Sequence, residues 1–334
     1  MFKYLCLVLL FLLFPFLGRS QDLHWTQFNA IPLYQNPAQT GNFQGDLRWT
    51  ANYRDQWRSV TRAFSTVAVG MDGRLLQHRN LAFGGSFLHD VVGDGALRTL
   101  DAFVTASYQL KLASDSSHTI QFGVNAGMNN RMVNWNAFKF GTQFNGFYYD
   151  PTLSTNETYS RSQRTNFNAS VGLLYQFIIG QGKKLEVGYA LHNLARPNQG
   201  FYDETIKRPI RQVVHAQMEW PIADDWDLIP ALQFQLQGNY WELMWGTSAR
   251  LTLENRMGKY RAVYFGVWNR PVDALMVSGG VQFNSLFVGL SYDINYNKLV
   301  PASRTVGAVE LAARYTIFRF KPKKINHRIC PDYI

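Results

Sequence analysis

The chain has 334 residues, of which 46% are hydrophobic and 17% charged, and a formal net charge of +10. Of its cysteines, Cys6 and Cys330, only Cys330 lies beyond the apolar leader, which excludes a disulfide framework within one chain. Lys and Arg are scattered rather than gathered in a patch, which speaks against nucleic acid, and after the leader no run of roughly 18 apolar residues offers a spanning helix.

The chain opens MFKYLCLVLLFLLFPFLGRSQ. Lys3 precedes an apolar run from Tyr4 to Leu17, and Gly18-Arg19-Ser20 supplies small residues before Gln21. This is the layout of an export signal spanning residues 1–20, removed ahead of Gln21. The competing reading is a membrane anchor, against which the apolar run is short of the roughly 20 residues a spanning helix needs.

Residues 21–45 follow with neither helical nor strand period. Within HWTQFNAIPLYQNPAQTG, Pro32 and Pro37 restrict the backbone, Asn36-Pro37 favours a turn and Gly41 permits positive φ. Such a stretch suits a fixed position. It reads as a plug across the periplasmic mouth of whatever follows, with Phe28, Leu33 and Tyr34 buried against lumen or rim, or else as a plain lead-in to the first strand.

From Asp46 the sequence alternates with period two. DLRWTANYR places Leu47, Trp49, Ala51 and Tyr53 on one face and Arg48, Thr50, Asn52 and Arg54 on the other. The even positions from Ala102 to Leu112 are apolar, and TIQFGVNAGMN, NFNASVGLLYQF, LIPALQFQLQ, LFVGLSYDIN and VGAVELAARYTI repeat the pattern. Segments centre near residues 50, 68, 85, 105, 124, 171, 188, 215, 232, 246, 264, 278, 290 and 311, which gives about fourteen strands.

Most segments run about 9 to 12 residues, the length of a tilted bilayer-crossing strand. Their polar faces suit a wet lumen. Aromatics gather near segment ends as interfacial girdles do: Trp49, Tyr53 and Trp57; Trp220 and Trp226; Tyr240, Trp241 and Trp245; Tyr264 and Trp268; Tyr292 and Tyr296. Long connections (Asn130 to Thr165, Asn193 to Ile210, Tyr296 to Val306) all follow odd-numbered segments, whereas those after even-numbered ones are short. That asymmetry belongs to an all-β, antiparallel transmembrane barrel over residues 46–318, integral in the bacterial outer membrane and surrounded by its lipid, with both termini periplasmic. On the polar faces, Glu186, Glu219, Glu242 and Glu310 are placed to pair with Arg48, Arg250 and Arg314 and to block the lumen.

Chemistry is sparse. Seven histidines are scattered without metal spacing, read as turn or interfacial residues, and there is no Gly-x-Ser-x-Gly turn. His89-Asp90 with Asp94-Gly95 reads as an external loop with ordinary turn residues. No catalytic, metal or cofactor site is expected, and the chain is not read as an enzyme.

Residues 319–334 lack alternation and form a basic tail following the last strand into the periplasm. Lys321, Lys323, Lys324, Arg328, Cys330 and Pro331 are its candidates for docking anionic head groups or an acidic partner; the alternative is a solvated tail with a tolerated thiol.

The segment with Asn36, Pro37, Ala38 and Gly41, followed by a strand carrying Tyr53-Arg54-Asp55-Gln56-Trp57, resembles the amino-terminal signature of the PorP/SprF family of type IX secretion system outer-membrane proteins. GYALHNLARPNQGF, the stretch GLSYDINYNKLVPASRTVGAVELAARYTI with Tyr292, Asp293, Gly307 and Glu310, and the Cys-Pro-aromatic ending continue the resemblance; the region from Asn130 to Arg164 has no part in it. The resemblance implies an accessory barrel of type IX secretion and gliding motility that associates with periplasmic and translocon subunits and, in some members, with a secreted surface adhesin. Asn-Pro-Ala before a first strand also occurs in FadL-like transporters of small hydrophobic molecules, the alternative function.

Overall fold

A computed structural model describes residues 23–318 except 60, 61, 76, 77, 79, 94–96, 113–116, 159, 181, 257 and 299. The leader and the basic tail, with Lys321, Lys323, Lys324, Arg328, Cys330 and Pro331, lie outside the described residues.

Fourteen strands follow one another: β1 (Leu47–Gln56), β2 (Phe64–Arg74), β3 (Leu81–Val92), β4 (Leu97–Lys111), β5 (His118–Met132), β6 (Gln163–Ile179), β7 (Lys183–His192), β8 (Arg211–Pro221), β9 (Trp226–Gln237), β10 (Tyr240–Arg256), β11 (Lys259–Arg270), β12 (Ala274–Phe283), β13 (Leu286–Asn295) and β14 (Val306–Ile317). Each pairs antiparallel with its neighbours in sequence, and β1 pairs with β14 from Leu47↔Ile317 to Gln56↔Ala308, closing the barrel. Closure leaves no strand edge to present unpaired amides to lipid, the condition under which strands can cross a bilayer. Among the described residues no helix is long and apolar enough to cross one.

The pleat sorts side chains as the alternation requires. On β4, Val104 is 71% exposed and Thr105 6%; on β5, Met128 is 63% exposed and Asn129 is fully buried. Apolar side chains face out and polar ones face the lumen, the reverse of a soluble barrel.

Two expectations fail here. Tyr264 and Trp268 share the inward face of β11 and do not belong to an outer girdle; Trp268 is buried because an apolar residue from inside the barrel packs on it. His89 and Asp90 lie within β3 rather than in a loop, and Asp90 is buried as the acceptor of the Thr66 hydroxyl; Asp94 and Gly95 lie outside the described residues.

The barrel has unlike ends. Residues 133–162, 193–210 and 296–305 form long connections at one end, whereas the opposite end carries short turns such as 180–182, 222–225 and 284–285. β1 begins and β14 finishes at the short-turn end.

Candidate functional site

The lumen is occupied by residues 23–45. The segment starts among side chains near the long-connection end, passes through short helical turns at Phe28–Ala30, Pro32–Gln35 and Pro37–Gln39, and reaches β1 at the short-turn end. It therefore runs the length of the lumen instead of covering one mouth.

Its start is held by a buried ion network. Glu310 accepts the backbone amides of Thr26 (2.8 Å) and Gln27 (2.9 Å) and pairs with Arg54 Nη1 at 3.2 Å. Arg54 Nη2 meets Asp293 at 2.8 Å, and Asp293 also accepts the Thr26 hydroxyl at 2.6 Å. Arg270 closes the group against Glu242 and Asp273, and Glu242 meets His24 Nδ1 at 3.4 Å. Glu310 thus pairs with Arg54, not with Arg48, Arg250 or Arg314. In a low-dielectric site each of these charges is tolerable only because its partner is in place.

Below this network the segment is apolar. Phe28 stands edge-on to Trp268 with ring centroids 5.5 Å apart, in a cluster with Met244, Met276, Ala231 and Ala274. Trp25 and Ile31 pack on Ala68 and Leu88, with Tyr34 beside them. These inward apolar residues interrupt the polar lining where the segment brings apolar side chains to meet them; burying Phe28 alone contributes on the order of 2 kcal/mol.

The Asn-Pro-Ala turn is seated on the wall. Asn36 Nδ2 donates to the Leu173 carbonyl at 3.1 Å and lies 3.1 Å from His215 Nε2, while Asn36 Oδ1 accepts the Ala38 amide at 2.8 Å. His192 Nε2 donates to the Gln35 carbonyl. His192 and His215 are accordingly buried lumen residues and not turn or interfacial ones. The close approach requires glycine on three successive strands: a Cβ at Gly123 would strike the backbone of Pro37 and Ala38, one at Gly172 would strike Asn36 Oδ1, and one at Gly188 would strike His215 and crowd the Asn36 amide.

At the short-turn end the Thr40 hydroxyl bonds Thr105 at 2.8 Å, Ser107 donates to the Thr40 carbonyl, and the Gly41 amide donates to Asp72 Oδ2 at 2.6 Å. Gly41 has φ +73°, and a side chain there would meet Ala82. Arg48 grips Asp72 through Nε (2.9 Å) and Nη2 (2.7 Å), a bidentate pair, and also donates to the Gln39 carbonyl.

Of the residues singled out in the sequence, Asn36, Pro37, Ala38, Gly41, Arg54, Asp293 and Glu310 meet in the lumen. The others do not join them. Tyr53 and Tyr292 face outward, the Tyr53 hydroxyl bonding Asp55, which pairs with Arg58. Gln56 lies opposite Ala308, and the Trp57 amide donates to the Gly307 carbonyl at the rim. Thr26, Gln27, Asp72, Arg270 and the three glycines escaped the sequence reading; inward glycines on β5, β6 and β7 were the signal available for the last.

The cavities beside the segment in the long-connection half and middle of the lumen hold about 20 Å³ or less, room for about one water. A larger one of about 370 Å³ opens at the short-turn mouth between Phe43, Arg74, Leu75, Ile178 and Lys184. Among the described residues no three His, Cys, Asp or Glu side chains are grouped to hold a metal. The arrangement grips a peptide segment through ion pairs, amides and apolar contacts.

The model of the family described as type IX secretion system membrane protein PorP/SprF matches residues 17–315. No curated protein matches the sequence. Among solved structures, the Ralstonia pickettii toluene transporter TbuX is similar in fold, with TM-score 0.50 and 11% identity over 86% of this chain and 93% of that one. A Pseudomonas aeruginosa FadL homologue gives TM-score 0.49 and 11% identity over 84% and 92%. At such identities the likeness is one of fold.

Proposed function

Since this chain belongs to the PorP/SprF family of type IX secretion system membrane proteins, we propose that it is a non-enzymatic adaptor of that machinery, an integral outer-membrane barrel whose own segment closes the lumen. The observation that carries this reading is the continuous run of contacts from Glu310 and Asp293 through Gly123 and Gly172 to Asp72, which leaves the middle of the barrel to the chain itself. A barrel so filled contributes its surfaces rather than a channel. The short-turn rim and the tail with Lys321, Lys323, Lys324, Arg328, Cys330 and Pro331 face the periplasm and dock periplasmic or translocon subunits. The long connections face outward, where a secreted surface adhesin of the gliding apparatus would be met. No cofactor enters this reading.

The test is affinity purification from detergent-solubilised outer membranes, comparing the full chain with a version ending at Phe318. Secretion subunits that co-purify with the former and are lost with the latter support the adaptor. A lone barrel carrying bound fatty acid or another small hydrophobic molecule would instead make it a FadL-like transporter.

A further inference from the structure

Arg48, Arg250 and Arg314 face the short-turn half of the lumen, and their circumstances differ. Arg48 is committed to Asp72 and the Gln39 carbonyl. Arg250 sits between Asp227 (2.8 Å) and Glu219 (3.6 Å). Glu186, on β7, pairs with Lys184. The carboxylates of this half are thereby engaged, and among the described residues Arg314 is left with no hydrogen bond or ion pair.

Arg314 is nevertheless held in a prepared position. Its guanidinium stands 5.2 Å from the centre of the Phe287 ring, its direct cross-strand partner. That ring is fixed in turn by Tyr264, edge-on at 5.2 Å, and by Gly280 and Gly289, where a Cβ would come within 2.9 and 3.0 Å of ring carbons. The Tyr264 hydroxyl is tied to Gln282 at 2.9 Å. A guanidinium over an aromatic ring is held by cation–π attraction, and its planar fork of donors matches two oxygens of one anion. Arg314 is only partly buried and lies near the short-turn end of β14, on the same half of the barrel as the short-turn mouth.

We propose that Arg314, stacked on Phe287, is a binding site for an oxyanion entering through the short-turn mouth. A carboxylate or a phosphate supplies the chemistry, whether as a small ion or as an acidic side chain of a protein. The site is independent of which face of the membrane the mouth opens on.

The experiment is calorimetric titration of the detergent-solubilised full chain with inorganic phosphate and, separately, with the peptide acetyl-Gly-Glu-Gly-Glu-Gly-amide, with its Gln counterpart as control. At least one acidic probe binds the wild type with one-to-one stoichiometry. Arg314→Gln weakens it about tenfold or more, the loss expected of a bidentate charge-assisted contact, and Arg314→Lys weakens it less. Phe287→Leu, which keeps the charge and removes the platform, weakens it several-fold. Arg314→Gln breaks no hydrogen bond or ion pair and gives up only the contact with the Phe287 ring, so the barrel folds; heat-modifiable electrophoretic migration verifies this for each variant. Phosphate alone binding identifies a small ion as the occupant, and the Glu peptide binding at least tenfold tighter than phosphate identifies an acidic protein side chain. Failure of both probes, or an affinity in Arg314→Gln within threefold of wild type, overturns the site.

Discussion

At the residue scale the structure turns on a few charges that would be intolerable alone. Glu310 is fully buried and answers two backbone amides and a guanidinium. Glu310→Ala leaves the Thr26 and Gln27 amides without an acceptor and takes from Arg54 one of its two carboxylate partners, leaving Asp293 alone to balance it. About 3 kcal/mol of stability should be lost, read as a lower urea midpoint for unfolding from lipid vesicles, with protease cutting within residues 23–30 of the folded barrel. An unchanged midpoint and an uncut segment would mean that the network does not hold the segment. Gly172→Ala acts by volume instead: the new methyl occupies the place of Asn36 Oδ1, whose bond to the Ala38 amide keeps it from moving freely. The Asn-Pro-Ala turn should lift off the wall at a cost of about 1–3 kcal/mol, and planar-bilayer recordings should show ion conductance absent from the wild type. Equal conductance in both would place the seal elsewhere. Arg54, Asp293 and Glu310 each stood out in the sequence, but their meeting did not, because contacts between residues so far apart in the chain leave no local pattern.

At the element scale the strands were legible and the segment's path was not. Period-two alternation is a local property, and the centres it gave fall within all fourteen strands, from β1 at residue 50 to β14 at residue 311. The exceptions are informative: Trp268, Met244 and Met276 look lipid-facing by type, yet they are buried inside because Phe28 covers them. A residue's face can be read from alternation only where the lumen is wet, and here part of it is dry. The hairpin of β5 and β6 illustrates the autonomy of the ladder. Its register runs unbroken from His118↔Phe177 to Met132↔Gln163, independently of residues 133–162 beyond it. Replacing 133–162 by a tight turn should therefore leave heat-modifiable migration and thermal resistance of the barrel unchanged. Loss of the folded band would show that the long connection takes part in closing the barrel.

At the scale of the whole molecule, the two ends of the barrel differ in connection length and in what the chain does there. The segment begins near the end that bears 133–162, 193–210 and 296–305, crosses the lumen and emerges where β1 starts and β14 stops. Barrels of this kind place short turns in the periplasm and long connections outside, so the segment's start should lie toward the cell surface, a consequence no composition or periodicity announced. Surface labelling tests the orientation on which this depends. In a background with Cys330→Ser, Ser154→Cys on the long connection and Lys259→Cys at the turn between β10 and β11 both present exposed positions at opposite ends. A membrane-impermeant maleimide applied to intact cells should label Ser154→Cys and reach Lys259→Cys only after the outer membrane is permeabilised. The opposite result would invert the barrel, turning the short-turn mouth with Arg314 toward the outside and the start of the segment toward the periplasm. Because the ion network and the glycine seat are internal to the barrel, either orientation leaves the lumen filled; what the labelling decides is which compartment each mouth addresses.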